Sequence, residues 1–77
     1  MDDATIAKNI AENLQAVIDN RGMSRGDVAR LNPGEPRQSV YRLFRAESVA
    51  NIAIVARIAK SLSVSIDSLV APSKKKS

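Results

Sequence analysis

The chain has 77 residues, 44% of them hydrophobic, and carries twelve lysines and arginines against eight aspartates and glutamates. That length holds one small domain, near the lower limit for a core that folds without disulfides or metals. Cysteine and histidine are absent, which removes disulfides, thiolate metal sites, the commonest general base and the commonest metal ligand.

The first helix is expected over about residues 4–20, where Ile6, Ile10, Leu14 and Val17 recur at helical spacing and Ala7, Ala11 and Ile18 widen the stripe. Asp2 or Asp3 can cap its start, and Arg21-Gly22 gives a basic last turn followed by a helix-ending glycine. Ser24-Arg25-Gly26-Asp27 reads as a capping box, a hydroxyl with an acid three residues on. The short second helix it opens directs Val28, Ala29 and Leu31 inward and stops at Asn32-Pro33-Gly34. Pro36 suits the first position of a third helix, where no internal N–H bond is needed. Its apolar stripe is Val40, Leu43 and Phe44, with Gln38, Tyr41, Arg42 and Arg45 on the opposite face and Arg37 in the first turn. Asn51 can cap a fourth helix burying Ile52, Val55, Ile58, Ala59 and Leu62. Ser65 and Asp67 can cap a short fifth with Ile66, Leu69 and Val70, closed by Pro72. The expected class is all-α with five helices in one domain, residues 1–72, followed by a disordered basic tail, residues 73–77. No apolar run approaches the roughly 20 residues that span a bilayer. The acidic start, Met1-Asp2-Asp3, is unlike a secretory signal. A cytoplasmic protein with no membrane partner is therefore expected.

The charge is unevenly spread. Residues 21–45 carry Arg21, Arg25, Arg30, Arg37, Arg42 and Arg45 against only Asp27 and Glu35, whereas residues 1–20 are net acidic and Lys74, Lys75 and Lys76 lie in the tail. Arginine is the cation whose planar fork matches phosphates and guanine edges. One arginine-rich zone on a small domain points to a polyanion, with a solvated surface as the plainer alternative.

Two short helices joined by a tight turn, after one long helix and before two more, form a helix-turn-helix arrangement. At this point the sequence resembles the Cro/repressor-type (XRE, lambda-repressor-like) DNA-binding domains of phages and bacteria. The resemblance covers about residues 6–70. It rests on Met23-Ser24-Arg25-Gly26-Asp27-Val28-Ala29, on Gln38-Ser39-Val40-Tyr41-Arg42-Leu43-Phe44, and above all on Ile58-Ala59-Lys60-Ser61-Leu62-Ser63-Val64-Ser65-Ile66-Asp67-Ser68-Leu69. The chain departs from the family in one place. Val28 and Val40 are twelve positions apart, where the family usually has eleven, so Asn32-Pro33-Gly34-Glu35 makes a longer turn that would tilt or advance the third helix.

The resemblance implies a five-helix lambda-repressor-like domain whose third helix, about residues 36–45, lies in the major groove of double-stranded DNA. Only the first turns and outer face of such a helix reach base edges. Arg37, Gln38 and Arg42 occupy those positions, with chemistry that suits guanine (arginine) and adenine (glutamine). Tyr41 is the next candidate, against a sugar, a thymine methyl or a phosphate. Phosphate contacts would come from Ser24 and Arg25 at the start of the second helix. By resemblance they would also come from Arg45, Ser48 and Asn51. Each has a structural alternative: solvated surface for Arg42 and Arg45, helix filling for Gln38, an apolar lid for Tyr41, caps for Ser24 and Asn51.

Half-sites are short, so proteins of this kind generally bind palindromes as two-fold homodimers. Ile66, Leu69 and Val70 are the expected dimer contacts, being more apolar area than a five-residue helix needs for itself. The expected function is a sequence-specific transcriptional regulator, most simply a phage, prophage or plasmid repressor. The alternatives are a restriction–modification controller protein, an antitoxin, or a helical protein-interaction module. An enzyme is not expected, because the scattered carboxylates assemble no nucleophile–base pair. A small-molecule inducer site is not expected in a single domain of this size, and no metal or cofactor is implied.

Overall fold

A computed structural model of the chain describes residues 3–47 and 52–72, the side chain of Asp3 excepted. Within them the protein is all-helical, with α1 (Asp3–Arg21), α2 (Arg25–Leu31), α3 (Arg37–Phe44), α4 (Ile52–Ser61) and α5 (Ile66–Val70). No strand occurs among the described residues. Among those residues, too, no helix is long and apolar enough to cross a membrane.

The long first helix is the platform. It packs against α3 and α5, while α2 packs on α3, and α4 touches α2, α3 and α5. Ile10, Leu14 and Ile18 form its buried stripe and meet Val28, Val40, Leu43, Phe44, Val55, Ile58, Leu62 and Leu69 in a single cluster. Every helix therefore contributes to one core.

The capping box at Ser24 is formed in full. The Ser24 hydroxyl accepts from the Asp27 N–H at 3.1 Å, and the Asp27 carboxylate accepts from the Ser24 N–H at 2.9 Å. Ser65 caps α5 with the first of these two bonds alone, its hydroxyl accepting from the Ser68 N–H at 3.1 Å. The cap expected from Asp2 or Asp3, the cap expected from Asn51, and the tail of residues 73–77 lie outside the described residues and side chains.

Three expectations need correction. Leu31 is 49% exposed. It ends α2, and the inward place after it is taken by Asn32, whose buried amide donates to the Val28 carbonyl at 2.9 Å and to Ser61 Oγ at 3.1 Å. Ile52 is 57% exposed because it opens α4, where a place on the apolar stripe brings no neighbouring helix to cover it. Pro36 is the residue before α3, with φ −61° and ψ 138°, so its fixed φ leads into the helix while its extended ψ keeps it outside.

Three helices end in the same motif, of which only one was marked by glycine. After α1, Met23 N–H bonds to the Ile18 carbonyl and Gly22 N–H to that of Asp19, with Gly22 at φ 67°. After α3, Glu47 bonds to Arg42 and Ala46 to Leu43, with Ala46 at φ 57°. After α4, Val64 bonds to Ala59 and Ser63 to Lys60, with Ser63 at φ 59°. These are Schellman closures, which need one left-handed residue. Alanine and serine hold that conformation against steric resistance that glycine lacks.

Two stability predictions follow from this packing. Ser63→Gly should raise the unfolding free energy by about 0.5–1 kcal/mol, whereas Gly22→Ala should lower it by about 1 kcal/mol; urea denaturation followed by circular dichroism measures both. Val40 is fully buried between helices, so Val40→Ala should cost about 1–3 kcal/mol in the same assay.

Candidate nucleic-acid interface

The outer surface of α3 follows from what its inner surface does. Val40, Leu43 and Phe44 are buried, which turns Arg37, Gln38, Arg42 and Arg45 to solvent. Arg37 and Gln38 sit in the first turn, and their side chains make no hydrogen bond or ion pair among the described residues. The turn before them is pinned. The Glu35 side chain is only 8% exposed and pairs with Arg57 of α4, while its N–H bonds to the Asn32 carbonyl at 3.0 Å. The longer turn between α2 and α3 is thus fastened to α4 by its acid and to α2 by its backbone.

The six arginines of residues 21–45 divide by partner. Arg21 donates to the Leu62 carbonyl at 2.6 Å and closes the end of α4. Arg25 donates through Nε and Nη2 to the Gln15 side-chain oxygen at 3.2 and 3.0 Å, and its guanidinium lies 5.1 Å from the centroid of the Phe44 ring. It therefore joins α1, α2 and α3 through a polar contact and a cation–π contact. Arg30 pairs with Asp27 one turn back. Arg45 meets Glu47 at 2.8 Å, and Arg42 lies 3.8 Å from the same carboxylate. Among the described residues, Arg37 alone of these six has no partner.

The other expected contacts divide in the same way. Tyr41 is half-buried and packed against the core, with its hydroxyl beside Gly26 at the start of α2, so it serves as a lid with one polar tip. The Ser24 hydroxyl lies beside the same glycine and accepts the capping bond, which leaves its proton available to a further acceptor. Ser48 and Asn51 lie outside the described residues. On α5, Leu69 is 1% exposed and belongs to the core, so as a dimer contact it is corrected; Ile66 and Val70 are half-buried and remain at the surface.

Gln15, Glu35 and Glu47 shape this surface and were not singled out in the sequence. Gln15 and Glu35 meet their partners ten and twenty-two residues away, which no local pattern announces. Glu47 is close to Arg42 and Arg45 in the chain, but the left-handed turn that folds it back is hidden by an alanine at position 46. No family profile, no curated protein and no solved structure matches this chain.

The Asp27 carboxyl is held below its ordinary value, first by the Ser24 N–H and next by the Arg30 guanidinium. A carboxyl with a lowered folded pKa adds stability above its unfolded value, and that stability is lost as pH falls through the folded value. The capping box should therefore support α2 at neutral pH and weaken below about pH 4. Asp27→Asn should be less stable at pH 7 and should lose less on acidification than the parent, as pH-dependent urea titration would show.

Proposed function

We propose that the chain is a sequence-specific regulator of transcription that binds double-stranded DNA. In this reading α2 and α3 form a helix-turn-helix of the lambda-repressor-like kind, and α3 is the recognition helix. One observation carries the reading: α3 anchors one face in the core and presents Arg37, Gln38 and Arg42 on the other, the first two with no side-chain partner among the described residues. Side chains that reach base edges from the major groove must be exposed, held by a fixed backbone, and uncommitted within the protein. Arg37 and Gln38 meet all three conditions. Arg42, one and a half turns further on, meets the first two and is engaged only at the rim of an exposed ion pair.

Phosphate contacts fall to Ser24, through its free hydroxyl proton, to Arg45, and to Ser48 and Asn51. Arg25 is a scaffold residue first, since its Nε and Nη2 are bound to Gln15 and its flat face covers Phe44. A homodimer on a palindrome is part of the proposal, with Ile66 and Val70 of α5 as the surface that meets the second copy. Half-sites would then be spaced by about one helical turn of DNA, roughly 34 Å. The simplest regulatory consequence is repression by occupying an operator in the cytoplasm, without enzymatic activity, metal or cofactor.

Selection from a random double-stranded DNA library tests the reading directly, and an enriched palindrome is the expected result. On the enriched site Arg37→Ala and Arg42→Ala should each cost about 1–3 kcal/mol and relax preference at one base pair. Arg45→Ala should weaken all sequences alike and lower the salt slope by about one unit. A library that yields no enriched sequence, from protein that is folded by circular dichroism, overturns the proposal and favours a protein-interaction role for α3.

A further inference from the structure

The far end of α3 holds a cluster that base reading alone does not account for. The Glu47 carboxylate lies 2.8 Å from Arg45 Nε and 3.8 Å from Arg42 Nε, so one acid faces both arginines. The backbone brings it there. Ala46 takes the left-handed conformation, and the Glu47 N–H bonds back to the Arg42 carbonyl at 3.4 Å, which folds the chain over the last turn of the helix. All three side chains are about half exposed, and ion pairs so exposed add little to stability. The cluster needs another explanation than folding.

We infer that Glu47 determines specificity on this surface, orienting Arg42 for base reading and offsetting part of the pull that Arg42 and Arg45 exert on phosphates; the inference rests on the DNA-binding reading above. Both contacts are made at Nε. An arginine approached there keeps its two terminal nitrogens free, and these can form the paired bonds to guanine O6 and N7. The carboxylate thus lies against the Nε edge of both guanidinium groups, close to Arg45 and at ion-pair distance from Arg42, and leaves the terminal nitrogens open, to a base for Arg42 and to a phosphate for Arg45. It also places a negative charge beside the DNA backbone, a cost paid on every sequence. A mobile arginine without this acid would meet any phosphate within reach, and such contacts carry no sequence information. Removing Glu47 should therefore strengthen binding to arbitrary DNA while weakening the preference for the right base pair.

The test compares Glu47→Ala, Glu47→Gln and, as a charge control on the outer face of α1, Glu12→Gln. DNA affinities are measured at 0.1 M salt on the selected site, on that site with the Arg42 base pair changed, and on an unrelated duplex. Both Glu47 variants should bind the unrelated duplex up to about tenfold more tightly. Glu47→Ala should also lose about three- to tenfold of the discrimination at the changed base pair. Glu12→Gln should keep wild-type discrimination. In the free protein, the Nε–H resonances of Arg42 and Arg45 should move in Glu47→Ala and stay in place in Glu12→Gln, a readout that needs no DNA.

If those resonances do not move, the orienting contact is absent and the inference is overturned. If the wild type selects a site but Glu47→Ala keeps its discrimination, the inference fails while the DNA-binding reading stands. If the wild type selects no site, both fall together.

Discussion

A helix of five to ten residues leaves about half or more of its backbone groups unpaired at its ends, and four of the five helices among the described residues are that short. Nothing in so small a domain can hide those groups for long, so each end has to be closed by a specific partner. The long helix α1 supplies many of them. Asn9 donates to the Val70 carbonyl at 3.1 Å, and Asn13 donates to those of Leu69 and Ala71 at 2.6 and 2.8 Å. Arg21, two turns further, closes Leu62. These donors stand four and eight residues apart, directly beside the buried stripe of Ile10, Leu14 and Ile18. One helix therefore offers two adjacent strips, one that excludes water and one that satisfies the carbonyls of α4 and α5. No buried side-chain nitrogen or oxygen lacks a hydrogen bond among the described residues.

The position of α3 depends on the same economy. Its start has no side-chain cap and no acid in its first turn, so the turn before it must be held from elsewhere. Asn32 ties the end of α2 to Ser61, and Glu35 ties the turn to Arg57, both in α4. The uncapped first turn of α3, with Arg37 and Gln38, is thereby left facing solvent on a backbone that is fixed from behind. At its other end Arg25 covers Phe44 and binds Gln15. A basic segment that looks uniform along the chain is, in three dimensions, a set of arginines that hold the fold and a smaller set that the fold holds out.

Much of this was legible from residue spacing. The five helices, the capping box at Ser24 and the stripe of Val40, Leu43 and Phe44 all depend on residues within one or two turns of each other, which is the range over which periodicity and caps act. The failures have different causes. Leu31 and Ile52 stand on the right stripe but at helix ends, where burial depends on the neighbour rather than on the spacing. A five-residue helix considered alone leaves Leu69 for a partner, but α5 packs against α1 and α4, and Leu69 is buried in the core they share. Ala46 and Ser63 were invisible as helix closures because the left-handed position is usually signalled by glycine. The partners of Arg25 and Glu35 could not be read at all, since a glutamine and an arginine have no composition that marks them as waiting for a distant residue.

The division among the arginines also says where the chain is free to change. Replacing Arg21, Arg25 or Arg57 removes a bond that closes a helix, covers the core or fastens a turn, so each change acts on stability before it acts on anything that binds. Among the described residues Arg37 and Gln38 have no such bonds to lose, and Arg42 has only an exposed one. Their replacement alters the outer surface of α3 at little cost to folding, because surface residues without internal partners contribute within about 0.5 kcal/mol. A domain this small has little stability to spare. An outer surface can therefore change without unfolding the chain only if its residues are not those that hold the fold together, and the arrangement of α3 against α1, α2 and α4 keeps the two sets apart.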